Sequence, residues 1–154
     1  MENIIIKRAT LDNLIDIQNL NNKLFELEKS FDDTLIENWP LTNEGKKYFS
    51  DLIVNNYVVI AIIDKNIVGY LAGSINEKGC YEEVQYGEIN NMYIDSNYRL
   101  YGIGRKLFES FRQYCLDNNI TNLQVTASAK NKDAINFYKK IGFKDFNITL
   151  TSKI

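Results

Sequence analysis

The sequence contains no histidine, one proline and two cysteines in 154 residues. The absence of histidine excludes Ser-His-Asp and Cys-His nucleophilic catalysis and almost every metal site built on imidazole. A single proline excludes collagen-like and proline-rich disordered chains. The two cysteines, Cys80 and Cys115, lie far apart without CxxC spacing. Neither a disulfide scaffold nor a zinc site is therefore expected.

Long apolar runs are also absent. None approaches the roughly 20 residues that cross a bilayer, and the isoleucine run within residues 1–8 is too short for the core of a signal peptide. We therefore expect a cytoplasmic protein with neither a membrane segment nor a metal. The chain has no run of Lys and Arg interleaved with aromatic residues, which argues against a nucleic-acid partner.

The overall composition is typical of one packed domain over residues 1–154, since 45% of the residues are hydrophobic and 12% are aromatic. The charge is divided unevenly. Residues 1–95 carry 8 basic and 16 acidic side chains, a net charge of −8, whereas residues 96–154 carry 10 and 4, a net charge of +6. An acidic half joined to a basic half suggests two differently charged ligands on one domain, although solvated surface charge would give the same pattern.

Hydrophobic periodicity predicts the element order β-α-α-β-β-β-α-β-α-β. The predicted strands are Ile4–Arg8, Tyr57–Ile63, Ile67–Ile75, Val84–Ile94, Asn122–Ala127 and, approximately, Phe146–Lys153. The predicted helices are Leu11–Glu28, Asn43–Asn55, Gly102–Asn118 and Asp133–Ile141. Because hairpins alternate with crossovers, we expect an α/β fold of the mixed α+β kind, a mixed sheet with helices on both faces.

The alternation slips within the predicted strand Val84–Ile94. Ile89 is apolar at an odd position, whereas Met92 and Ile94 are apolar at even positions, with Asn90-Asn91 between them. Such a phase change is typical of a β-bulge, which leaves backbone N–H groups free for a ligand. Chance placement of polar residues on an edge strand is the alternative.

A glycine-containing loop, Arg99 to Arg105, joins this strand to an amphipathic helix and has the pattern R-x-x-G-x-G. Glycines at a helix start allow close backbone approach to an anion, which the exposed N–H groups bind. A Walker loop is excluded because no Gly-Lys-Ser/Thr is present. The dinucleotide fingerprint fails because Leu107 occupies its third glycine position and the loop after Ile94 is too long. The remaining candidate is a loop for the pyrophosphate of coenzyme A.

A second pattern follows about 30 residues later, where Asn131 to Phe143 have the form N-x-x-A-x-x-F-Y-x-x-x-G-F. With both motifs in this order, the chain resembles the GNAT superfamily of N-acetyltransferases, and the element order matches that family over nearly the whole chain. The resemblance implies a mostly antiparallel central sheet. It also implies direct acetyl transfer from acetyl-CoA to a primary amine in a ternary complex, without a metal, and it is compatible with a homodimer.

The resemblance implies a cofactor site built from the central strand, the glycine loop and the last helix. Its cofactor-binding residues are expected to be Met92, Tyr93, Ile94, Arg99, Leu100, Tyr101, Gly102, Ile103, Gly104, Arg105, Asn131 and Tyr138. In the family, the strand holds the pantetheine arm, the loop binds the pyrophosphate and the tyrosine lies near the sulfur. Two departures are Asp95-Ser96 where the family often has proline, and room for one strand, not the usual two, after Phe143.

Acetyl transfer needs a neutral amine, a stabilised oxyanion and a protonated leaving thiolate. Without histidine, the expected catalytic residues are Tyr138 as general acid and Glu88 as base, directly or through a water. Glu88 stands on the central strand where family members that use a glutamate base carry it. A core tyrosine and an ordinary strand carboxylate are the alternatives.

The stretch Glu26–Glu44 carries six acidic side chains and one lysine, a net charge of −5. Family members border the acceptor cleft with this part of the chain, so we expect a small-molecule amine acceptor, cationic and of the polyamine kind. A lysine side chain or protein N-terminus is the alternative acceptor, and a solvated acidic loop is the alternative role of the stretch. A non-catalytic acetyl-CoA-binding regulatory domain and a generic nucleotide-binding module are the competing functions. Trp39 is expected to pack within its loop.

Overall fold

Five strands form one sheet in the order in which they occur along the chain, in a computed structural model that describes residues 3–154. The strands are β1 (Ile5–Arg8), β2 (Tyr57–Ile63), β3 (Asn66–Ile75), β4 (Tyr86–Ile94) and β5 (Asn122–Val125). The helices are α1 (Leu14–Lys29), α2 (Asn43–Asn55), α3 (Ile103–Asp117) and α4 (Lys132–Lys140). Strands β1 to β4 are antiparallel neighbours, and β5 pairs with β4 in parallel. The predicted mixed sheet is confirmed, and residues 1–2 of the predicted domain lie outside the described part.

Helices cover both faces of the sheet, and each face has its own core. Val59 and Ala61 of β2 belong to the core that includes α3, whereas Val58 and Ile60 belong to the core that includes α1 and α2. Successive residues of a strand point to opposite faces, so β2 must be apolar at nearly every position. This explains why its sequence is a continuous apolar run.

The β-bulge predicted in β4 is confirmed. Gly73 of β3 is opposite Ile89, the preceding residue Ala72 is opposite Asn91, and Asn90 between the two β4 residues has no register partner in β3. Ile89 is buried in the core that includes α3, and after the bulge Met92 and Ile94 pack against that same core. The extra residue therefore returns the apolar positions to one face, as the phase change in the sequence indicated.

The two parallel strands diverge after four paired residues. Pairing runs from Tyr86 with Asn122 to Ile89 with Val125 and then stops. Within residues 3–154, the second half of β4 consequently has no strand partner on its β5 side, so backbone groups there can bind another molecule. An opening at the carboxyl ends of parallel strands is a favoured place for a ligand in α/β sheets.

The last predicted strand, Phe146–Lys153, is wrong, since residues 144–154 form neither helix nor strand and all are exposed. The segment follows Gly142, which has a φ of 111°, and makes no backbone hydrogen bond to the sheet within residues 3–154. Alternating apolar residues show which backbone conformation a segment favours, but a strand also needs a neighbouring edge to pair with. Within residues 3–154 the sheet therefore has five strands, not six.

None of the helices within residues 3–154 has the length and apolarity that a bilayer crossing requires.

Candidate active site

A cleft of about 310 Å³ lies where β4 and β5 diverge. Asn90, Asn91 and Met92 of the bulged strand form one wall, and residues 125–127 at the end of β5 form the facing wall. The remaining lining comes from α1, α2, α4 and the turn at Trp39. The bulge predicted from the sequence thus lies in the wall of the main opening in the sheet.

Two predicted residues of α4, Tyr138 and Asn131, line this cleft. Tyr138 is only 9% exposed and its ring packs against Phe137 and Phe143. Burial raises the pKa of the Tyr138 phenol well above its ordinary value, and the charge of Glu28 raises it further. The hydroxyl is therefore protonated at neutral pH, as a proton donor must be.

Asn131 also has a structural task, because its Oδ1 accepts a hydrogen bond of 3.2 Å from the backbone N–H of Ala134. This contact caps the N-terminus of α4 and satisfies one of its free donors. The cap fixes the start of the helix beside the cleft and leaves the Asn131 amide NH₂ free of this bond.

The predicted base, Glu88, lies on β4 but is not one of the residues that line the cleft. Its carboxylate accepts a hydrogen bond of 2.5 Å from Nδ2 of Asn76. Glu88 is nevertheless close enough for its charge to act on Tyr48, which lines the cleft. Burial raises the pKa of the Tyr48 phenol, and the charge of Glu88 raises it further. The structure therefore does not place Glu88 and Tyr138 together in the walls of the cleft.

Glu28 of α1 lines the cleft, although the sequence analysis assigned it no role of its own. Its side chain is half-buried, and burial raises the pKa of the carboxyl, with a further contribution from the charge of Asp32. The sequence did contain a signal, because Glu28 follows Asn21 by seven residues and Leu24 by four, the spacing of one helix face. Both of those residues are buried, so Glu28 continues the inward face of α1.

An aromatic wall stands next to Glu28. Phe25 and Trp39 stack with ring centroids 5.8 Å apart, and Tyr48 meets Trp39 edge-on at 5.6 Å. All three line the cleft. Trp39 was expected to pack within its loop, but it packs against Phe25 of α1 and Tyr48 of α2 and lies in the cleft wall. Gly45 allows this arrangement, because a Cβ there would lie 2.5 Å from the carbonyl oxygens of Trp39 and Pro40.

The electrostatic character of the cleft is one-sided. Among the described residues that line it, Glu28 is the only charged side chain. Two amide oxygens, Oδ1 of Asn21 and Oδ1 of Asn91, are buried near it without a hydrogen-bond partner. The single carboxylate therefore suits the cleft to a cationic ligand.

The predicted pyrophosphate loop is exposed and leads directly into α3. Leu100 and Gly102 both have left-handed backbone, with φ of 69° and 77°, and Gly102 is the N-cap without a side-chain cap bond. The first N–H groups of α3 therefore have no partner within the helix and are available to an anion. Arg99 is held in place, since its Nε donates to the Ile94 carbonyl at 3.2 Å and its guanidinium lies 5.5 Å from the Tyr93 ring centroid.

Of the other loop residues, two are buried and two are exposed. Ile103 is buried in the core, so only its backbone can serve a ligand. A Cβ on Gly104 would lie 3.1 Å from both Ile94 and Phe137, so this glycine lets α3 approach β4 and α4 closely. Tyr101 and Arg105 are exposed.

Comparison with known proteins agrees with this arrangement. The model of the acetyltransferase (GNAT) family matches residues 16–143, and the chain belongs to that family. An uncharacterized N-acetyltransferase of Archaeoglobus fulgidus is 32% identical over 95 residues, which are 60% of this chain and 65% of that protein. The chain thus spans slightly less than two thirds of that relative's length.

Two solved structures share the fold. A mutant of the BH1408 protein from Bacillus halodurans has a TM-score of 0.85 at 20% identity and covers 97% of this chain and 99% of its own. The aminoglycoside N-acetyltransferase AAC(6')-Iy, solved in complex with CoA, has a TM-score of 0.77 at 13% identity and covers 100% and 96%. The resemblance found in the sequence and the predicted fold class are confirmed.

Proposed function

We propose that this chain transfers the acetyl group of acetyl-CoA directly to a primary amine of a small cationic compound of the polyamine kind. The observation that carries the proposal is the cleft between β4 and β5. It combines a protonated tyrosine, a strand with free backbone groups and a single carboxylate beside an aromatic wall. Family membership supports acetyl-CoA as co-substrate, and the structural neighbour AAC(6')-Iy was solved with CoA.

Acetyl-CoA, the acetyl donor, binds to the residues of the two sequence motifs and to the second half of β4. The loop from Arg99 to Arg105 and the first turn of α3 hold the pyrophosphate, because their free N–H groups and the helix dipole favour an anion. Residues 92–94 and Asn131 hold the pantetheine arm. The unpaired side of β4 supplies backbone N–H groups that bind the thioester carbonyl and stabilise the oxyanion that forms there.

The reaction then proceeds with a complete balance of atoms. The amine nitrogen attacks the thioester carbon, the carbon–sulfur bond breaks, and Tyr138 gives its proton to the leaving sulfur. The nitrogen gives up its surplus proton as the amide forms, and this proton restores the Tyr138 phenol. Glu88 takes the proton of the acceptor ammonium through a water molecule, since its carboxylate lies outside the cleft lining. No covalent intermediate with the enzyme is needed.

Glu28 and the aromatic wall hold the acceptor. The carboxylate pairs with a distal ammonium of the amine, and the rings of Phe25 and Trp39 contact its methylene chain. The other five acidic residues of the stretch Glu26–Glu44 are exposed. Those five supply a long-range field and no direct contact, so recognition depends on Glu28.

A comparison of acceptors tests this function. We expect spermidine to have a higher kcat/KM than a monoamine with a neutral tail or a lysine-rich peptide at low salt. This advantage should shrink as salt screens the acidic residues. Equal efficiency for the neutral-tailed amine at every salt concentration would refute the cationic acceptor, and a leading peptide would favour a protein or peptide acceptor.

The proposed pyrophosphate site is tested by Arg105→Glu. The substitution places a negative charge beside the donor anion at an exposed position, so we expect the Kd of acetyl-CoA to rise about tenfold or more, as measured by calorimetry. Arg112→Glu is the matched control, because it makes the same change on the same helix about two turns away and should leave the Kd unchanged. Equal effects of the two variants would contradict the assignment.

The proposed role of Glu88 predicts a particular pH dependence of kcat/KM in the variant Glu88→Gln. Glu88→Gln removes the proton acceptor while keeping the size of the side chain, so kcat/KM should fall most near neutral pH. The loss should shrink at high pH, where more of the amine is already neutral. Glu83→Gln, an exposed control in the preceding loop, should have no effect. A pH-independent loss in Glu88→Gln would indicate a structural role through the contact with Asn76.

A further inference from the structure

Asp95 is the first residue after β4, and it begins the short segment that leads into the proposed pyrophosphate loop. Its backbone N–H donates to the Val68 carbonyl at 2.8 Å, and its carbonyl accepts from the Tyr98 N–H at 2.9 Å. Its Oδ1 accepts a hydrogen bond of 3.1 Å from the Asn97 N–H. These three bonds fix the turn at the end of β4, because each of them holds a different group of the same residue.

The second carboxylate oxygen of Asp95 binds a residue of α1. Lys23 donates from Nζ to Oδ2 at 2.5 Å, across 72 positions of the sequence. The Asp95 side chain is only 15% exposed, whereas that of Lys23 is 50% exposed. The hydrogen bond raises the pKa of Lys23 and lowers the pKa of Asp95, so both groups stay charged near neutral pH. The pair therefore ties the turn after β4 to the helix that carries Glu28.

The segment that Asp95 begins ends at Arg99, which is also held against β4 through the Ile94 carbonyl and the Tyr93 ring. Leu100 comes next and has left-handed backbone with a φ of 69°, a conformation that is unfavourable for leucine. Its side chain is fully exposed, so packing does not compensate for the strain. A strained backbone persists where the surrounding structure holds it, and the contacts of Asp95 and Arg99 lie directly before it.

We propose that Lys23 and Asp95 are positioning residues for acetyl-CoA, which hold the segment 95–99 so that the pyrophosphate loop has its binding conformation before the ligand arrives. Once the pair is broken, only a fraction of the molecules has this conformation, and the apparent Kd rises as that fraction falls. The proposal rests on the donor site proposed above, and it does not depend on the identity of the acceptor.

A second ion pair of α1 provides the comparison. Lys29 lies 3.2 Å from Glu37, and their side chains are 41% and 73% exposed. Glu37 belongs to the acidic stretch Glu26–Glu44 and not to the turn after β4. Breaking this pair removes the same kind of contact from the same helix and leaves the contacts of Asp95 in place.

Calorimetric titration of acetyl-CoA into the full chain tests the role of Lys23. Lys23→Met removes the charge and keeps the length of the side chain, so we expect the Kd to rise about fivefold, the effect of losing one well-placed surface ion pair. The KM for acetyl-CoA should rise with it, whereas the unfolding midpoint and the kcat at saturating acetyl-CoA should not change. Lys29→Met is the matched control and should keep the wild-type Kd. Equal Kd values in the two variants would overturn the proposal.

The negative charge of Asp95 separates positioning from a simple charge effect. Asp95→Asn breaks the pair and keeps a side-chain oxygen for the Asn97 N–H, but it removes a negative charge near a site for an anion. A simple charge effect would lower the Kd, whereas loss of positioning should raise it as much as Lys23→Met does. The double variant should bind no more weakly than either single variant, because all three lose one contact. A Kd at or below the wild-type value in Asp95→Asn, or additive effects in the double variant, would overturn the positioning role.

Arg105→Glu in the same titrations separates this proposal from the proposed donor site. If Arg105→Glu weakens acetyl-CoA binding while Lys23→Met and Asp95→Asn do not, the donor site stands and the positioning role is overturned. If none of the three variants changes the Kd, both are overturned. Weaker binding in all three supports both.

Discussion

Tyr138→Phe is expected to lower kcat by about 10²- to 10⁴-fold, the usual contribution of a general acid, with little change in stability. The substitution keeps the ring that packs against Phe137 and Phe143 and removes only the proton donor. The KM for acetyl-CoA should change little, because the hydroxyl acts mainly on the leaving sulfur. Steady-state kinetics together with a thermal unfolding midpoint separate the two effects.

Tyr114→Phe is the matched control for this variant. Tyr114 packs against the same core as Tyr138 but does not line the cleft. We expect near-normal turnover in the control. If Tyr138→Phe also kept near-normal turnover, Tyr138 would be a core tyrosine and another group would protonate the thiolate.

Glu28→Gln is expected to raise the KM for spermidine about 10- to 100-fold, which corresponds to the loss of one hydrogen bond to a charged group, roughly 1.5–3 kcal/mol. The kcat should fall much less, because Glu28 holds the distal ammonium and does not take part in proton transfer. Glu26→Gln is the matched control, since Glu26 lies on the same helix but is exposed. Similar KM values in both variants would show that the acidic stretch acts only through its overall charge.

The same carboxylate predicts a pH dependence. Burial and Asp32 raise the pKa of Glu28 above the ordinary value of a glutamate, so the side chain gains its proton at a higher pH than an exposed glutamate would. Once protonated, it no longer attracts a cation. The KM for spermidine should therefore rise as the pH falls through this raised pKa, and this rise should be absent in Glu28→Gln. A KM with the same pH profile in both proteins would contradict the assignment.

The features that the sequence predicted correctly depend on local pattern. The bulge at Asn90 was visible because it shifts the apolar phase of one strand, and the α4 face that carries Tyr138 was visible because its spacing repeats along one helix. The start of α3 after Gly102 likewise follows from one short stretch, and the binding of pyrophosphate by the loop from Arg99 to Arg105 stays a prediction. In each case the residues that determine the structure are close together in the sequence.

The features that were missed depend on distant parts of the chain. Glu28 reaches the cleft because α1 packs beside β4, and the sequence shows the inward face of α1 but not what that face meets. Glu88 lies near the bulge in sequence, but its strand position turns it toward Asn76 and away from the lining of the cleft. The segment predicted as a strand at Phe146–Lys153 alternates as a strand does, but it pairs with no strand of residues 3–154. Alternation in the sequence does not show whether a neighbouring edge is available.

The central claim is that the chain acetylates a small cationic amine, and release of the CoA thiol from acetyl-CoA by the purified chain tests it most directly. The assay compares spermidine with a no-amine control and measures acetylated spermidine by mass spectrometry in the same samples. We predict that thiol appears only when the amine is present, with one acetylated amine formed for each thiol. Tight binding of acetyl-CoA by calorimetry, with no amine-dependent thiol release from any amine or peptide tested, would contradict the claim and leave a non-catalytic acetyl-CoA-binding domain.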